Sequence, residues 1–209
     1  MTGELTTTTD RLDAELPEIG PEYAELFERA LPYLQTRENE VHTRISYGYA
    51  ERLLRHGGRR DVVLPAILLH DVGWSRVPED LQLFAFGPNP TRPELRDVHE
   101  EEGARLAEGI LRELGYAPES VAEIVRIIAG HDSKPTCDSL EEGIVKDADK
   151  LFRFSRRGFR IIRDWYPLEE RGLLERLEDR IPDWFLTAPG ATLAREEAAA
   201  RRKELSRGL

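Results

Sequence analysis

Apolar residues recur at three- and four-residue intervals through nearly every segment of this chain, which is the period of an α-helix. The first clear case begins near Pro21, and the second spans about residues 38–55 and ends at Gly57-Gly58. No segment shows the alternation of apolar and polar residues that marks a half-buried strand. The sequence therefore predicts an all-α fold in which one domain holds about eight or nine helices.

The centre of this fold is predicted at residues 60–72, which are almost entirely apolar. A helix that is apolar on every side is normally surrounded by other elements. Glycine and prolines interrupt residues 73–96, so this stretch is predicted to be a long loop or a lid with short turns. Further helices are predicted at about 97–114, 118–130, from 140 toward 165, and 191–206.

Chain length and charge limit the classes of protein to consider. At 209 residues, the chain can bury a sizeable core without disulfides. We expect a mobile leader at residues 1–20 and a helical domain at 21–209, with its core at about 38–155 and a C-terminal helical extension at 156–209. The net charge of -10 argues against a nucleic-acid polymer as partner, because phosphate backbones select basic surfaces.

Cysteine content and hydropathy bear on the compartment. Cys137 is the single cysteine, which excludes a disulfide framework and a cysteine-rich zinc module. The N-terminus has no basic start followed by an apolar run, so no secretory signal is predicted. No apolar stretch approaches the roughly 20 residues of a membrane span. We therefore expect a soluble cytoplasmic protein without a membrane partner, and a homodimer is compatible with these features.

Four of the five histidines lie on apolar faces of the predicted helices. They are His42, His70, His99 and His131, whereas His56 lies in an Arg- and Gly-rich segment and is expected in solvent. One buried histidine is normally a core residue with a hydrogen-bond partner. Four unpartnered imidazoles on four helices would cost about 1–3 kcal/mol each. A metal site removes that cost, because neutral imidazole is the commonest metal ligand.

Carboxylates accompany these histidines. Two histidines precede an aspartate, in His70-Asp71 and His131-Asp132, and Asp149 lies on an apolar face of a later predicted helix. Imidazole combined with carboxylate suits a hard or borderline divalent ion. Too few residues separate the second doublet from Asp149 to hold the intervening helices, so the first doublet is predicted to be the main motif.

The order of His42, the doublet His70-Asp71 and the distal Asp149 resembles the HD-domain metal-dependent phosphohydrolases. Their signature is a histidine on one helix, a His-Asp doublet ending a second and an aspartate on a later helix. The stretches LLHDVGW and VKDADKLF carry the resemblance, which covers about residues 38–155. It implies an all-α helical core.

The resemblance also implies a ligand set. One metal would take His42, His70, Asp71 and Asp149, and a second would take Asp71, His99 and His131. The resemblance places the distal ligand at Asp149, because the Ala-Asp-Lys-Leu context matches the family there. Asp147 lies roughly 200° away around a helix, so both cannot face the same metal. The alternative is a single metal, with the two later histidines bonded to substrate or water. The cofactors would be divalent ions, two of them in the dinuclear case, and Mn, Fe, Mg, Ni and Zn all fit.

Further residues are assigned to catalysis or substrate on weaker patterns. The catalytic candidates are Asp71, Asp132 and Lys150, and the substrate-binding candidates are Lys134, Lys150, Arg153 and Trp74. The cations follow ligand positions in the chain, from which they could reach a phosphate. Trp74 would stack a base or line the pocket wall, unless it is a core residue. Asp132 or a neighbouring acid would take a proton, and Glu100 is expected in a solvated first-turn charge cluster.

These assignments imply a metal-dependent phosphohydrolase that acts on a small phosphorylated substrate, with nucleotides favoured, through metal-activated water. Nucleoside phosphates, guanosine tetraphosphate and cyclic dinucleotides remain open as substrates. The alternative is an HD-fold diiron oxygenase, because the same histidines and aspartates suit iron. A ligand sensor is disfavoured by the complete ligand set. A closed structural zinc site is disfavoured because it needs only four ligands.

Overall fold

The structure is a computed structural model that describes residues 16–86, 89–166 and 168–207. Within these ranges it contains ten α-helices joined by short 3-10 turns and no β-strand. The helices are α1 (Ala24–Ala30), α2 (Asn39–Leu53), α3 (Arg60–Leu69), α4 (Glu79–Gln82), α5 (Glu94–Glu113), α6 (Pro118–Ile128), α7 (Leu140–Leu151), α8 (Arg156–Trp165), α9 (Glu170–Trp184) and α10 (Ala188–Arg207). The all-α prediction is confirmed, with slightly more helices than expected.

Helix α3 forms the centre of the molecule, as its composition predicts. All eight residues from Val62 to Leu69 are buried. Helices α2, α6 and α7 pack directly against it. His70 and Asp71, which follow Leu69, are therefore anchored to a helix in the interior of the core and not to one at its surface.

The segment 73–96 is more ordered than a loop. It holds a 3-10 turn over Val72–Arg76, the short helix α4 and a second turn over Leu83–Ala85. Its Trp74, Val77 and Ala85 form a small hydrophobic cluster of their own with Leu95 of α5. Short helical turns of this kind leave no periodic pattern long enough to recognise in a sequence.

The predicted helix from 140 toward 165 is two helices. A 3-10 turn over Phe152–Phe154 ends α7, and Ser155 adopts an extended backbone. The Ser155 hydroxyl accepts a hydrogen bond from the Gly158 backbone N–H at 3.0 Å, which begins α8 with an N-cap. Helix α7 thereby ends directly after the segment that carries Asp149, and α8 packs Phe159 and Ile161 into the core.

Two features describe the ends of the domain. Residues 1–15 of the predicted leader lie outside the described part of the chain, whereas Leu16 and Ile19 pack against the core. At the other end, α10 packs on α7 and buries Ala194 and Ala198. None of the helices in the described ranges is long and apolar enough to cross a membrane.

Candidate metal centre

The six residues predicted as metal ligands converge in one buried cluster. They come from five parts of the fold, with His42 on α2, His70 and Asp71 directly after α3, His99 on α5, His131 after α6 and Asp149 on α7. None of the six is more than 7% exposed. His56, predicted to be in solvent, is exposed.

The first group of donors surrounds His42. Its Nε2 lies 2.9 Å from His70 Nε2, 3.2 Å from Asp149 Oδ1 and 3.5 Å from Asp71 Oδ2. Neighbouring ligands of an octahedral ion, each about 2.1 Å from it, are about 3 Å apart. These four side chains thus have the spacing of ligands that share one cation.

The second group lies on the other side of Asp71. Its Oδ1 is 3.6 Å from His131 Nε2 and 3.9 Å from His99 Nε2, and these two histidine nitrogens are 3.3 Å apart. Asp132 Oδ2 is 3.7 Å from His99 Nε2 and so joins this group. Asp71 Oδ2 therefore faces His42, while Oδ1 faces His99 and His131. Oδ1 also lies 3.7 Å from His70 Nε2, so the carboxylate lies between the two groups, where a bridging ligand would be. Both His-Asp doublets reach the cluster, although only the first was predicted to be the main motif.

Backbone carbonyls orient two of the rings. His70 Nδ1 donates to the Ile67 carbonyl and His131 Nδ1 donates to the Ile128 carbonyl, both at 2.8 Å. Because a carbonyl can only accept, Nδ1 carries a proton in both rings, so each ring in its neutral form presents its Nε2 lone pair to the cluster. This is the protonation state that a metal ligand requires.

Trp74 positions a third histidine ring, that of His99. It is 1% exposed and stacks on His99, with ring centroids 4.0 Å apart and planes inclined by 13°. Its indole Nε1 donates to Asp71 Oδ1 at 3.2 Å. His99 Nδ1 is buried without a hydrogen-bond partner in the described part of the chain. Trp74 is thus a wall that positions His99 and Asp71 and leaves little face for a stacked base.

The cluster concentrates negative charge in a buried space. Although burial opposes ionisation, the facing groups hold the pKa of Asp71 and Asp149 well below the usual value, mainly His70 for the first and Arg153 for the second. Burial lowers the pKa of His99 to about 4. Burial acts likewise on His131, but the adjacent Asp71 and Asp132 carboxylates outweigh it and raise its pKa to about 10. A divalent cation would satisfy the same demand for positive charge and displace that proton.

Asp147 and Asp149 point to different neighbours. Asp147 accepts hydrogen bonds from Leu186 N at 2.8 Å, Thr187 N at 2.9 Å and Thr187 Oγ1 at 2.6 Å. These bonds join α7 to the start of α10. Asp149 alone of the pair lies in the cluster, in keeping with their angular separation on the helix.

Glu100 has a structural role that sequence reasoning missed. It is 2% exposed, and its Oε1 accepts hydrogen bonds from Asp132 N at 2.7 Å and Ser133 N at 2.9 Å. The expectation of a solvated position is wrong because α5 begins at Glu94 rather than 97, which puts Glu100 in the second turn. Its carboxylate fixes the turn that presents His131 and Asp132.

A narrow cavity opens onto the cluster, and Arg37 covers it. The guanidinium lies 4.7 Å from the Trp74 ring centroid and 5.4 Å from those of Phe86 and Trp165. Arg37 Nε donates to the buried Gln82 at 2.5 Å, and burial lowers the pKa of Arg37. Its backbone φ of 49° is uncommon for a residue other than glycine. No pattern in the sequence marks this arginine.

Asn39 and Arg153 also line the cavity. Asn39 is 2% exposed, yet its amide Nδ2 has no hydrogen-bond partner among the described residues. Arg153 Nη1 lies 3.3 Å from Asp149 Oδ1. The cluster therefore has two hydrogen-bond donors beside it, the unpartnered amide of Asn39 and the guanidinium of Arg153.

The remaining predicted cations differ in position. Lys150 lines an adjoining chamber, and burial lowers its pKa. Lys134 instead pairs with Asp138 at 2.5 Å and Glu142 at 3.6 Å. It is not among the described residues that line either space.

Comparison with known proteins places this geometry in a family. The model of the HD domain matches residues 40–153, which is more than half of the chain and includes all six clustered ligand residues. No curated protein and no solved structure matches the chain. The match, the all-α fold and the buried His/Asp cluster agree with one another. The chain therefore belongs to the HD-domain superfamily of metal-dependent phosphohydrolases.

Proposed function

We propose that this protein hydrolyses a phosphoester or phosphoanhydride bond in a small phosphorylated substrate, with nucleotides as the first class to test. The observation that carries the proposal is the position of Asp71, whose carboxylate lies between two adjoining groups of buried donors. Membership of the HD-domain superfamily agrees with it.

The residues present fit two divalent ions. His42, His70, Asp71 and Asp149 would hold one, and Asp71, His99 and His131 would hold the other with Asp132 beside it. When bound, the ions would lower the pKa of a water molecule toward neutrality and offset charge on the phosphoryl oxygens. The carbonyl partners of His70 Nδ1 and His131 Nδ1, which leave each Nε2 facing the cluster, support this donor set.

The other side chains of the cavity act on substrate and proton. The Arg37 guanidinium, which lies against three aromatic rings, would donate to the phosphoryl oxygens, and Arg153 and Asn39 Nδ2 would add donors. The Asp132 carboxylate lies at the mouth of the cavity, with 15% of its side chain exposed. It is suited to accept the proton of the attacking water.

The test joins metal analysis to turnover. Purified protein would be loaded with Mn, Fe, Mg, Ni or Zn and assayed with nucleoside mono-, di- and triphosphates and 4-nitrophenyl phosphate. We expect phosphate release by the loaded wild type and none by Asp71→Ala, which should also lose metal while its circular dichroism keeps the helical signal. Asp80→Ala, on the exposed side of α4, serves as the matched control. Full activity in Asp71→Ala would contradict the proposal, and two irons per chain with no phosphoester turnover would favour the oxygenase.

A further inference from the structure

A larger chamber adjoins the narrow cavity over the metal centre. The narrow cavity has a volume of about 50 Å³, and the chamber has about 410 Å³. Both are lined by Asp132, Arg153 and Tyr166, so they adjoin each other. The first volume holds little more than a phosphoryl group, whereas the second lies within the roughly 300–1,000 Å³ range of small-molecule sites.

The outer chamber is built largely from helices that the family match does not include. Helix α9 contributes Leu173, Leu177 and Trp184, and α8 contributes Ile162. The HD domain match ends at residue 153, before both helices begin. Much of the apolar lining, which can hold the body of a substrate, therefore comes from helices beyond the matched region.

The chamber is positively charged in a protein whose net charge is -10. Its ionic lining consists of the cations Arg96, Lys150, Arg153, Arg176 and Arg180 and the carboxylates Asp132 and Asp179. With five cations and two carboxylates, the lining has a charge opposite in sign to the net charge of the molecule. Such a lining concentrates anions.

Three of these cations lack an ionic partner in the described part of the chain. Arg96 makes one long hydrogen bond, of 3.4 Å, to the Pro93 carbonyl, and Arg180 lies 5.9 Å from the Trp184 ring centroid. Arg176 lies one turn before Arg180 on α9 and lines the same space. On the same helix, Glu178 pairs with Arg202. The helix thus presents free cations to the chamber.

We infer that the outer chamber binds the leaving group of the substrate and that this leaving group carries a second anionic group, held by Arg96, Arg176 and Arg180. The inference rests on the proposed function. In the hydrolysis, a water oxygen bonds to phosphorus and the P–O bond to the leaving group breaks. The leaving oxygen gains a proton, the water loses one, and no electron is transferred.

The test compares two substrates that differ only in the second anion. The probes are adenosine 5′-monophosphate and adenosine 3′,5′-bisphosphate, with release of the 5′-phosphate measured for each. We expect wild type to favour the bisphosphate at least tenfold in kcat/KM, because arginines without ionic partners can form several charge-assisted hydrogen bonds to the second phosphate. In Arg176→Gln/Arg180→Gln, this ratio should fall toward one. Arg171→Gln, on the same helix but outside the chamber lining, should keep the wild-type ratio.

A binding measurement separates failure of this inference from failure of the proposed function. Calorimetric titration with adenosine 3′-monophosphate and with adenosine requires no turnover. We expect the phosphorylated ligand to bind at least tenfold more tightly to wild type, and the double variant to lose that difference. Absence of hydrolysis together with this binding pattern would overturn the proposed function and leave the chamber assignment standing. Equal binding of both ligands, or a difference that survives in the double variant, overturns the inference.

Discussion

Two aspartates, two residues apart on α7, provide the sharpest comparison at the scale of single residues. Asp149 lies 3.2 Å from His42 Nε2, so Asp149→Ala should lose metal and activity. Asp147→Ala should keep the metal, because its carboxylate serves the Leu186-Thr187 backbone. Loss of those bonds should lower the free energy of unfolding by about 1–3 kcal/mol. Metal analysis and chemical denaturation of both variants would check this, and loss of metal only in Asp147→Ala would reverse the assignment.

Arg37 is the residue for which the structure adds most to the sequence. Removing a buried donor to transition-state oxygens costs about 100-fold or more in kcat. Arg37→Ala should show a loss of that size and Arg37→Lys a smaller one, since lysine keeps the charge but not the fork of donors. Metal content should stay at the wild-type level in both, as Arg37 is no ligand. Steady-state kinetics decide the role: a raised KM with unchanged kcat would contradict a transition-state contact.

At the scale of elements, the periodic helices were predictable and the junctions were not. The apolar pattern located α3 and the order of the helices that carry the ligands. It continued without interruption across residues 151–159, where Ser155 caps a new helix by accepting a hydrogen bond from the Gly158 backbone N–H. It also placed the start of α5 three residues late, which moved Glu100 from the interior to the surface. An N-cap depends on local backbone angles, which hydrophobic periodicity does not report.

The contact between α5 and the turn after α3 gives a prediction about elements. A Cβ atom on Gly73 would lie 1.9 Å from the His99 carbonyl oxygen and 2.5 Å from Gly103 N, so only glycine permits this approach. A Cβ on Gly103 would lie no nearer than 3.4 Å to its neighbours. Gly73→Ala should therefore separate His99 from Asp71, whereas Gly103→Ala should be mild.

Both glycine variants can be compared by thermal unfolding and metal titration. Gly73→Ala should show a lower Tm and weaker binding of the second metal, because the displaced backbone belongs to a ligand residue. Gly103→Ala should remain within a few degrees of wild type. Equal effects of the two substitutions would show that the close approach of these backbones is not what sets the position of His99.

At the scale of the whole molecule, the sequence could indicate the ligands but not their neighbours. Each ligand had a local signal, namely a polar group on an apolar helical face. Arg37, Asn39 and the outer chamber have no such signal, because they meet the cluster only through tertiary packing. The chamber depends on how α8 and α9 fold back over residues from α5 and α7. Spacing along one chain does not encode that arrangement.

The metal centre should also act as a cross-link of the whole fold. Its ligands come from α2, α5 and α7 and from the segments that follow α3 and α6. A ligand that binds only the native state at 100 times its Kd stabilises it by about 2.7 kcal/mol. In a domain of this size, that corresponds to a rise in Tm of about 5–10 °C. The measured metal content should approach two ions per chain, since the first ion does not need His99 and His131 as ligands.

Differential scanning calorimetry with and without metal would measure this coupling, beside metal counts on the same samples. His99→Ala and His131→Ala should each fall toward one ion and keep part of the rise in Tm, because the donors around His42 remain. Asp71→Ala, which removes the shared carboxylate, should lose nearly all of it. Exposed His56→Ala, as the matched control, should resemble wild type. The opposite result would be one ion per chain in wild type and in the His99 and His131 variants alike. Those two histidines would then contact substrate rather than a second ion, and the mononuclear arrangement would stand.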